Sequence, residues 1–162
     1  MSFDLERFVA AQEGVYEGAL RELRQGRKSG HWIWFIFPQL AGLGRSEMSR
    51  FYGIASLDEA RAYLEHPVLG PRLRECVSAV LATSGTMADA TFGSLDAMKV
   101  RSSMTLFLRA APNEPAFRQM LERFYSGTTD DITDVLLGWD ETVTGEPMPD
   151  WESIIRIQRS EH

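Results

Sequence analysis

The chain has 162 residues, 44% of them hydrophobic and 25% charged, with 17 basic against 23 acidic side chains and a net charge of −6. That length and balance suit one globular domain that folds without a disulfide or a metal, and the acidic excess weighs against a nucleic-acid partner, because phosphate binding wants a basic surface. The single cysteine, Cys76, excludes an intrachain disulfide; the longest apolar run, Trp32–Phe37, is too short to span a bilayer, and nothing at the N-terminus reads as a signal peptide, so a soluble, cytoplasmic protein with no membrane partner is expected.

The patterning predicts an all-α fold: one compact domain over residues 1–162, about seven to nine short-to-medium helices, and a less regular tail from about residue 139. In the first helix Phe8, Val15, Tyr16, Ala19, Leu20 and Leu23 share one face, and Gly26 is placed to end it. Gln12 falls inside this apolar sector, where a buried amide must find partners, in a loop backbone or in a ligand. Gly14 and Gly18, four apart on the flank, predict close approach of another backbone, since a helical glycine otherwise costs about 1 kcal/mol against alanine. Arg21, Arg24, Arg27 and Lys28 read as a solvated helix C-terminus, where cations suit the dipole.

Gly30–Gln39, GHWIWFIFPQ, is the densest signal in the chain. It must be buried, which leaves His31 and Gln39 at the border of the core. Ser29 is positioned to cap a short helix through this run, stopped by Pro38, with a buried strand as the alternative. The loop Gly42-Leu-Gly44-Arg45-Ser46 is a turn, or an anion cradle in which Arg45 adds charge and Ser46 opens a brief helix to Tyr52.

Ser56-Leu-Asp-Glu59 is a capping box for a helix to about Glu65, and His66 before Pro67 is a surface or capping residue. Pro71, as a first helical residue, starts the next helix, with Leu73, Val77, Val80 and Leu81 inward. Thr86-Met-Ala-Asp89 begins a short turn ending at Gly93, and Ser94 caps a helix to about Arg109. Further helices run from Pro115 to Tyr125, with Phe117, Met120, Leu121 and Phe124 inward, and from Asp130 to Leu137. Gly145–Pro149 is a turn, and Trp151–Gln158 a final helix or packed tail.

On the helix from Ser94, Arg101, Thr105 and Arg109 mark the solvent side, while Val100, Met104, Phe107 and Leu108 mark the core side. Asp96, Lys99 and Ser103 join neither. Their spacing of three and four residues puts them in mutual contact on an apolar rim. This is either an internal ion pair or a site in which Lys99 holds an anion, Asp96 orients it and Ser103 donates a hydrogen bond. No metalloprotease, nucleophile-elbow, paired-cysteine or calcium-loop motif is present, so neither a metal nor a cofactor is assigned. Cys76 lies beside Val77 and Val80 and reads as inert packing.

The segments GRKSGHWIWFIFPQLAGLGRS, YGIASLDEARAYLEHPVLGPRL and FGSLDAMKVRSSMTLF resemble the family catalogued as domain of unknown function 1810, over about Phe3 to Leu137. The resemblance implies a single, mainly helical domain of a bacterial type and no established reaction. Some members carry the label calpastatin, but this chain has no repeated inhibitory segments and patterns as a folded domain, unlike a disordered protease inhibitor.

Two functions follow as expectations. One is a pocket beside segment 30–39 that binds a small anionic or planar, nucleotide-like ligand. Gln12, Trp32, Gln39, Arg45, Ser46 and Ser103 would be its contacts, with Trp32 or Trp34 as a stacking wall. If the site is catalytic, His31 is the acid–base, Lys99 the electrostatic stabiliser and Asp96 its orienting carboxylate. The alternative is a non-catalytic helical module for a protein partner, anchored by Trp139 and Trp151 and marked by an exposed apolar patch.

Overall fold

The structure is a computed structural model that describes residues 3–139. Among them are ten helices and no strand: α1 (Glu6–Gln12), α2 (Tyr16–Arg24), α3 (Ile33–Ile36), α4 (Glu47–Phe51), α5 (Leu57–Glu65), α6 (Leu69–Leu81), α7 (Ala88–Phe92), α8 (Ser94–Ala110), α9 (Pro115–Tyr125) and α10 (Asp131–Leu137). The fold is all-α, as the patterning predicts. The Gly145–Pro149 turn, Trp151 and the tail lie outside the described residues.

The first predicted helix is two. Gly14 has φ of +75°, a conformation glycine adopts freely and other residues do not, so the chain breaks between α1 and α2. The expected close approach at Gly14 and Gly18 is absent: a Cβ at either would meet nothing within 4 Å. The break adds one helix to the predicted number, and Ala88–Phe92, expected within a short turn, forms another, α7. Gln12 then becomes the last residue of α1 rather than a mid-helix residue.

The aromatic run forms a helix rather than a strand, but only over four residues, and Ser29 does not cap it: Trp32 stands at the N-cap and no side-chain cap bond forms. After Pro38 the chain runs to Leu40, which pairs with Ile54 in an isolated parallel bridge.

Caps behave as their chemistry requires at three starts. Ser46 accepts the Ser49 N–H at 3.1 Å, Ser56 the Glu59 N–H at 3.1 Å and Asp130 the Thr133 N–H at 2.9 Å. The return bond of the capping box runs one residue early, from the Ala55 N–H to Glu59 at 2.7 Å. Two predicted starts are displaced. α6 begins at Leu69, with Pro71 third, because the first N–H groups of a helix have no intrahelical partner and a proline there loses nothing. His66 Nδ1 instead accepts the N–H groups of Val68 and Leu69 at 3.1 and 3.2 Å. α8 has Gly93 at its N-cap and Ser94 as its first helical residue, so Ser94 is no cap.

α8 is the central helix. It packs against α3, α5, α7, α9 and α10, and Val100, Met104, Leu106 and Phe107 are fully buried. The Phe107 ring lies 5.4 Å from Tyr63 on α5 and 5.8 Å from Phe117 on α9. Tyr63 in turn meets Phe8 of α1 edge-on at 5.2 Å. The predicted solvent side of α8 is covered. Thr105 is fully buried and Arg109 is 5% exposed, because α10 and the loop before it close over them. Arg109 is held by both oxygens of Asp134 at 3.0 and 3.1 Å, Thr105 Oγ1 accepts the Asp130 N–H at 2.9 Å, and Arg101 donates to Thr128 and Thr129. Polar side chains on a helix face mark solvent only where no other element satisfies them.

Candidate functional site

The site is built where the segment after α2 crosses the start of α8. Gly26, with φ of +73°, ends α2, so Lys28 lies beyond the helix and leaves the cationic cluster it was grouped with. Its backbone N–H donates to Thr91 at 2.7 Å, its ammonium donates to the Gly30 carbonyl, and its Nζ lies 2.6 Å from Asp96 Oδ2 with the side chain only 5% exposed. Lys99 Nζ reaches the other carboxylate oxygen, Asp96 Oδ1, at 3.1 Å, with 28% of its side chain exposed. One carboxylate therefore bridges two ammonium groups. Burial opposes ionisation of Asp96, but the two lysines outweigh it and hold the carboxyl below its usual range.

Each lysine also lies over an indole. Lys28 Nζ is 4.8 Å from the Trp32 ring centre and Lys99 Nζ 4.9 Å from that of Trp34, contacts worth about 0.5–2 kcal/mol each depending on solvation. Trp32 is buried, 2% exposed, and Trp34 is half-buried. The wall that remains accessible is Trp34.

Glu22 of α2 holds the connecting loop. Its Oε1 accepts the N–H of Ser29 at 2.5 Å, of Gly30 at 2.8 Å and of the Trp32 indole at 3.2 Å. Burial works against its charge, yet these donors keep the carboxyl below its ordinary value. Gly30 is required by this packing, since a Cβ there would stand 2.7 Å from the Trp32 ring.

Ser103 is one turn beyond Lys99 on the same face. It is fully buried, and its hydroxyl has no hydrogen-bond partner. The other buried hydroxyls of α8 are satisfied by bonding back one turn: Ser102 donates to the Met98 carbonyl at 3.1 Å and Thr105 to the Arg101 carbonyl at 2.8 Å. Ser103 is the exception among them.

The remaining candidates separate. Gln39 is half-buried and lines a narrow cleft with Trp34, Leu40, Gly44, Ser49, Tyr52 and Gly53. The free volume there, about 10 Å³, is roughly that of one water. Gln12 serves a different network. It donates to the Phe35 carbonyl at 2.7 Å and to the Tyr63 hydroxyl at 3.3 Å, and accepts from Arg72 at 3.3 Å, which satisfies it within the protein. His31 is exposed, and no hydrogen bond among the described residues involves its side chain. Arg45 and Ser46 are exposed, and Ser46 is spent on the α4 cap. Trp139 is half-buried with the Arg109 guanidinium 4.7 Å from its ring. Cys76 is buried, and that burial pushes its thiol up to about 12, which removes it as a nucleophile.

Lys28 and Glu22 were not singled out by sequence pattern. Lys28 had a signal, since it follows the glycine that stops α2 and so belongs to the aromatic segment; Glu22 had none, because a glutamate on an amphipathic helix is ordinary.

No helix among the described residues is long and apolar enough to cross a membrane, and no group of three His, Cys, Asp or Glu among them could hold a metal ion. No curated protein matches the chain. A solved crystal structure, that of the conserved hypothetical protein Rv1873 from Mycobacterium tuberculosis, is similar to it, with a TM-score of 0.82, 51% identity, and coverage of 83% of this chain and 96% of that one. A family profile matches residues 2–137, and the chain therefore belongs to the family described as protein of unknown function (DUF1810).

Proposed function

We propose that this domain binds a small anionic ligand at the face formed by Lys99 and Trp34, one helical turn from the enclosed Ser103 hydroxyl, with Lys28 and Asp96 fixing Lys99 in place. The single observation that carries this reading is the Ser103 hydroxyl, fully buried and unpartnered one turn from a partly exposed ammonium. Leaving such a group unsatisfied costs about 1–3 kcal/mol, and the same helix offers a carbonyl that would relieve it. Charge arithmetic agrees: Lys28, closer to Asp96 and more buried, neutralises it, so Lys99 is the ammonium left to meet an incoming anion. The planar part of the expected ligand has less support, since Trp32 is buried and the Trp34 ring already carries Lys99.

The test is a thermal-shift screen of the full chain against inorganic phosphate, nucleotides, sugar phosphates, amino acids and simple carboxylates, beside Lys99→Ala and Ser103→Ala. At least one anion is expected to stabilise the wild type and neither variant. Without ligand, Ser103→Ala is expected to be neutral or stabilising by up to about 1 kcal/mol, since it removes a buried hydroxyl with no bond to lose. No shift with any anion, together with a clearly destabilised Ser103→Ala, would place the hydroxyl in a structural bond and sink the reading.

A protein-interaction module remains the second reading, favoured by Ile132 and Val135, 62% and 48% exposed one turn apart on α10. The same helix supplies Leu136 and Leu137 to a groove of about 340 Å³ lined also by Leu40, Ala55 and Leu57. A partner peptide whose binding survives Lys99→Ala and is abolished by Ile132→Asp would favour it.

A further inference from the structure

The two most exposed large apolar side chains described in this chain stand beside Lys99. Leu95 is 75% exposed and Met98 68%, both in the first turns of α8. On a helix Leu95 neighbours Met98 at i+3 and Lys99 at i+4, so the three form one contiguous patch. The core does not need either residue, and exposing them costs solvation that a polar side chain at those positions would avoid. On the other flank of Lys99 lie Asp96, at 3.1 Å and shared with Lys28, and the Trp34 ring beneath the ammonium.

We infer that the ligand is an amphiphilic carboxylate, a small molecule whose anionic head meets Lys99 and whose aliphatic chain lies along Leu95 and Met98. This rests on the anion reading above and names its ligand class. The charge of the patch chooses the head group: the cation at its edge is the one Asp96 leaves incompletely neutralised, so a carboxylate is complementary where an ammonium would be repelled. The patch itself chooses the tail. Leucine and the unbranched, polarizable methionine adapt their rotamers to a flexible chain, and each apolar group covered adds affinity by removal from water. A flat aromatic tail fits less well, because the nearest indole face is occupied by Lys99 itself.

The probe is decanoate, titrated calorimetrically below its micelle concentration into the full chain, with acetate, inorganic phosphate and decanol as comparisons. Decanoate is expected to bind at least about tenfold more tightly than acetate or decanol, since it alone carries both halves. Leu95→Ser and Met98→Ser, both at exposed positions, are expected to weaken decanoate by roughly three- to tenfold each with unchanged circular dichroism, and Lys99→Met to reduce it to the level of decanol. Phosphate or acetate binding as tightly as decanoate, or decanoate unaffected by both serine variants, would overturn the aliphatic half and leave the anion site standing. Decanol equal to decanoate would overturn the carboxylate. No binding of any anion would remove the site altogether. A peptide with an apolar end and a free C-terminal carboxylate that outcompetes decanoate by more than about tenfold would transfer the surface to a protein partner.

Discussion

Asp96→Asn is the most informative single substitution in this fold. The amide keeps the shape of the carboxylate and one acceptor oxygen but removes the charge that Lys28 meets at 2.6 Å and Lys99 at 3.1 Å. Breaking a fully buried pair from one side costs about 3–5 kcal/mol. Lys28 is close to that limit at 5% exposed, whereas Asp96 is 20% exposed and Lys99 28%, so solvent screens part of the loss and about 2–3 kcal/mol is expected. At this chain length that corresponds to a fall in Tm of roughly 5–10 °C. The pH dependence separates charge from packing. Burial raises the Asp96 carboxyl, but the lysines lower it by more, so it lies below its usual range in the folded protein. The folded state then binds fewer protons than the unfolded one. The contribution is complete above the unfolded carboxylate value, about 3.9, and is lost as pH falls through the lower folded value. Urea unfolding of both proteins, followed by circular dichroism from pH 7 down into the acid range, should show a gap that is full at neutrality and closes in acid. A gap under about 0.5 kcal/mol at pH 7, or one that persists after Asp96 has taken up its proton, would refute the reasoning.

Three further substitutions and a labelling experiment test the fold around the site. Gly14→Ala is expected to lose about 1–2 kcal/mol to its left-handed backbone alone, as nothing crowds the new methyl. Gly18→Ala, helical and equally open, is expected to gain about 0.5–1 kcal/mol; paired urea melts that move in the same direction would argue that α1 and α2 are one helix. At Gly70 a Cβ would stand 2.1 Å from the Leu64 carbonyl oxygen, a backbone contact that cannot step aside. Gly70→Ala should therefore cost about 3 kcal/mol by calorimetry, and a near-neutral result would deny the tight α5–α6 junction. The Cys76 thiol should be silent to a disulfide reagent in buffer and react fully in urea, because it is buried and its thiolate is disfavoured up to about pH 12. Rapid labelling of the folded protein would contradict that.

Local chemistry carried far in this chain. Serine, aspartate and glutamate at helix starts, and glycine at helix ends, act within a turn of themselves, so Ser46, Ser56, Asp130 and Gly26 could be read without knowing what surrounds them. Helical spacing likewise placed Asp96 beside Lys99, since i and i+3 neighbours are set by backbone geometry alone. Local signals failed at Gly14, Ser29 and Ser94: a glycine in a continuous amphipathic pattern looks the same whether it permits close packing or a left-handed break, and a serine ahead of an apolar run reads as a cap wherever the first turn begins. The face of α8 carrying Thr105 and Arg109 was misread because polarity was equated with solvent, when Asp134 and the Asp130 N–H were waiting on another element.

The candidate site divides along the same line. The amino-acid sequence alone determined that the domain is helical, that the apolar run within segment 30–39 enters the core, and that an acid, an amine and a hydroxyl share one face of α8, because each of these follows from periodicity and side-chain chemistry over a few residues. Only the tertiary structure decided that Lys28 shares the Asp96 carboxylate, that Gln12 is satisfied elsewhere, that His31 faces solvent, and that the Ser103 hydroxyl is enclosed without a partner. Those outcomes depend on contacts between residues far apart along the chain, and such contacts exist only once the apolar faces of separate helices have packed.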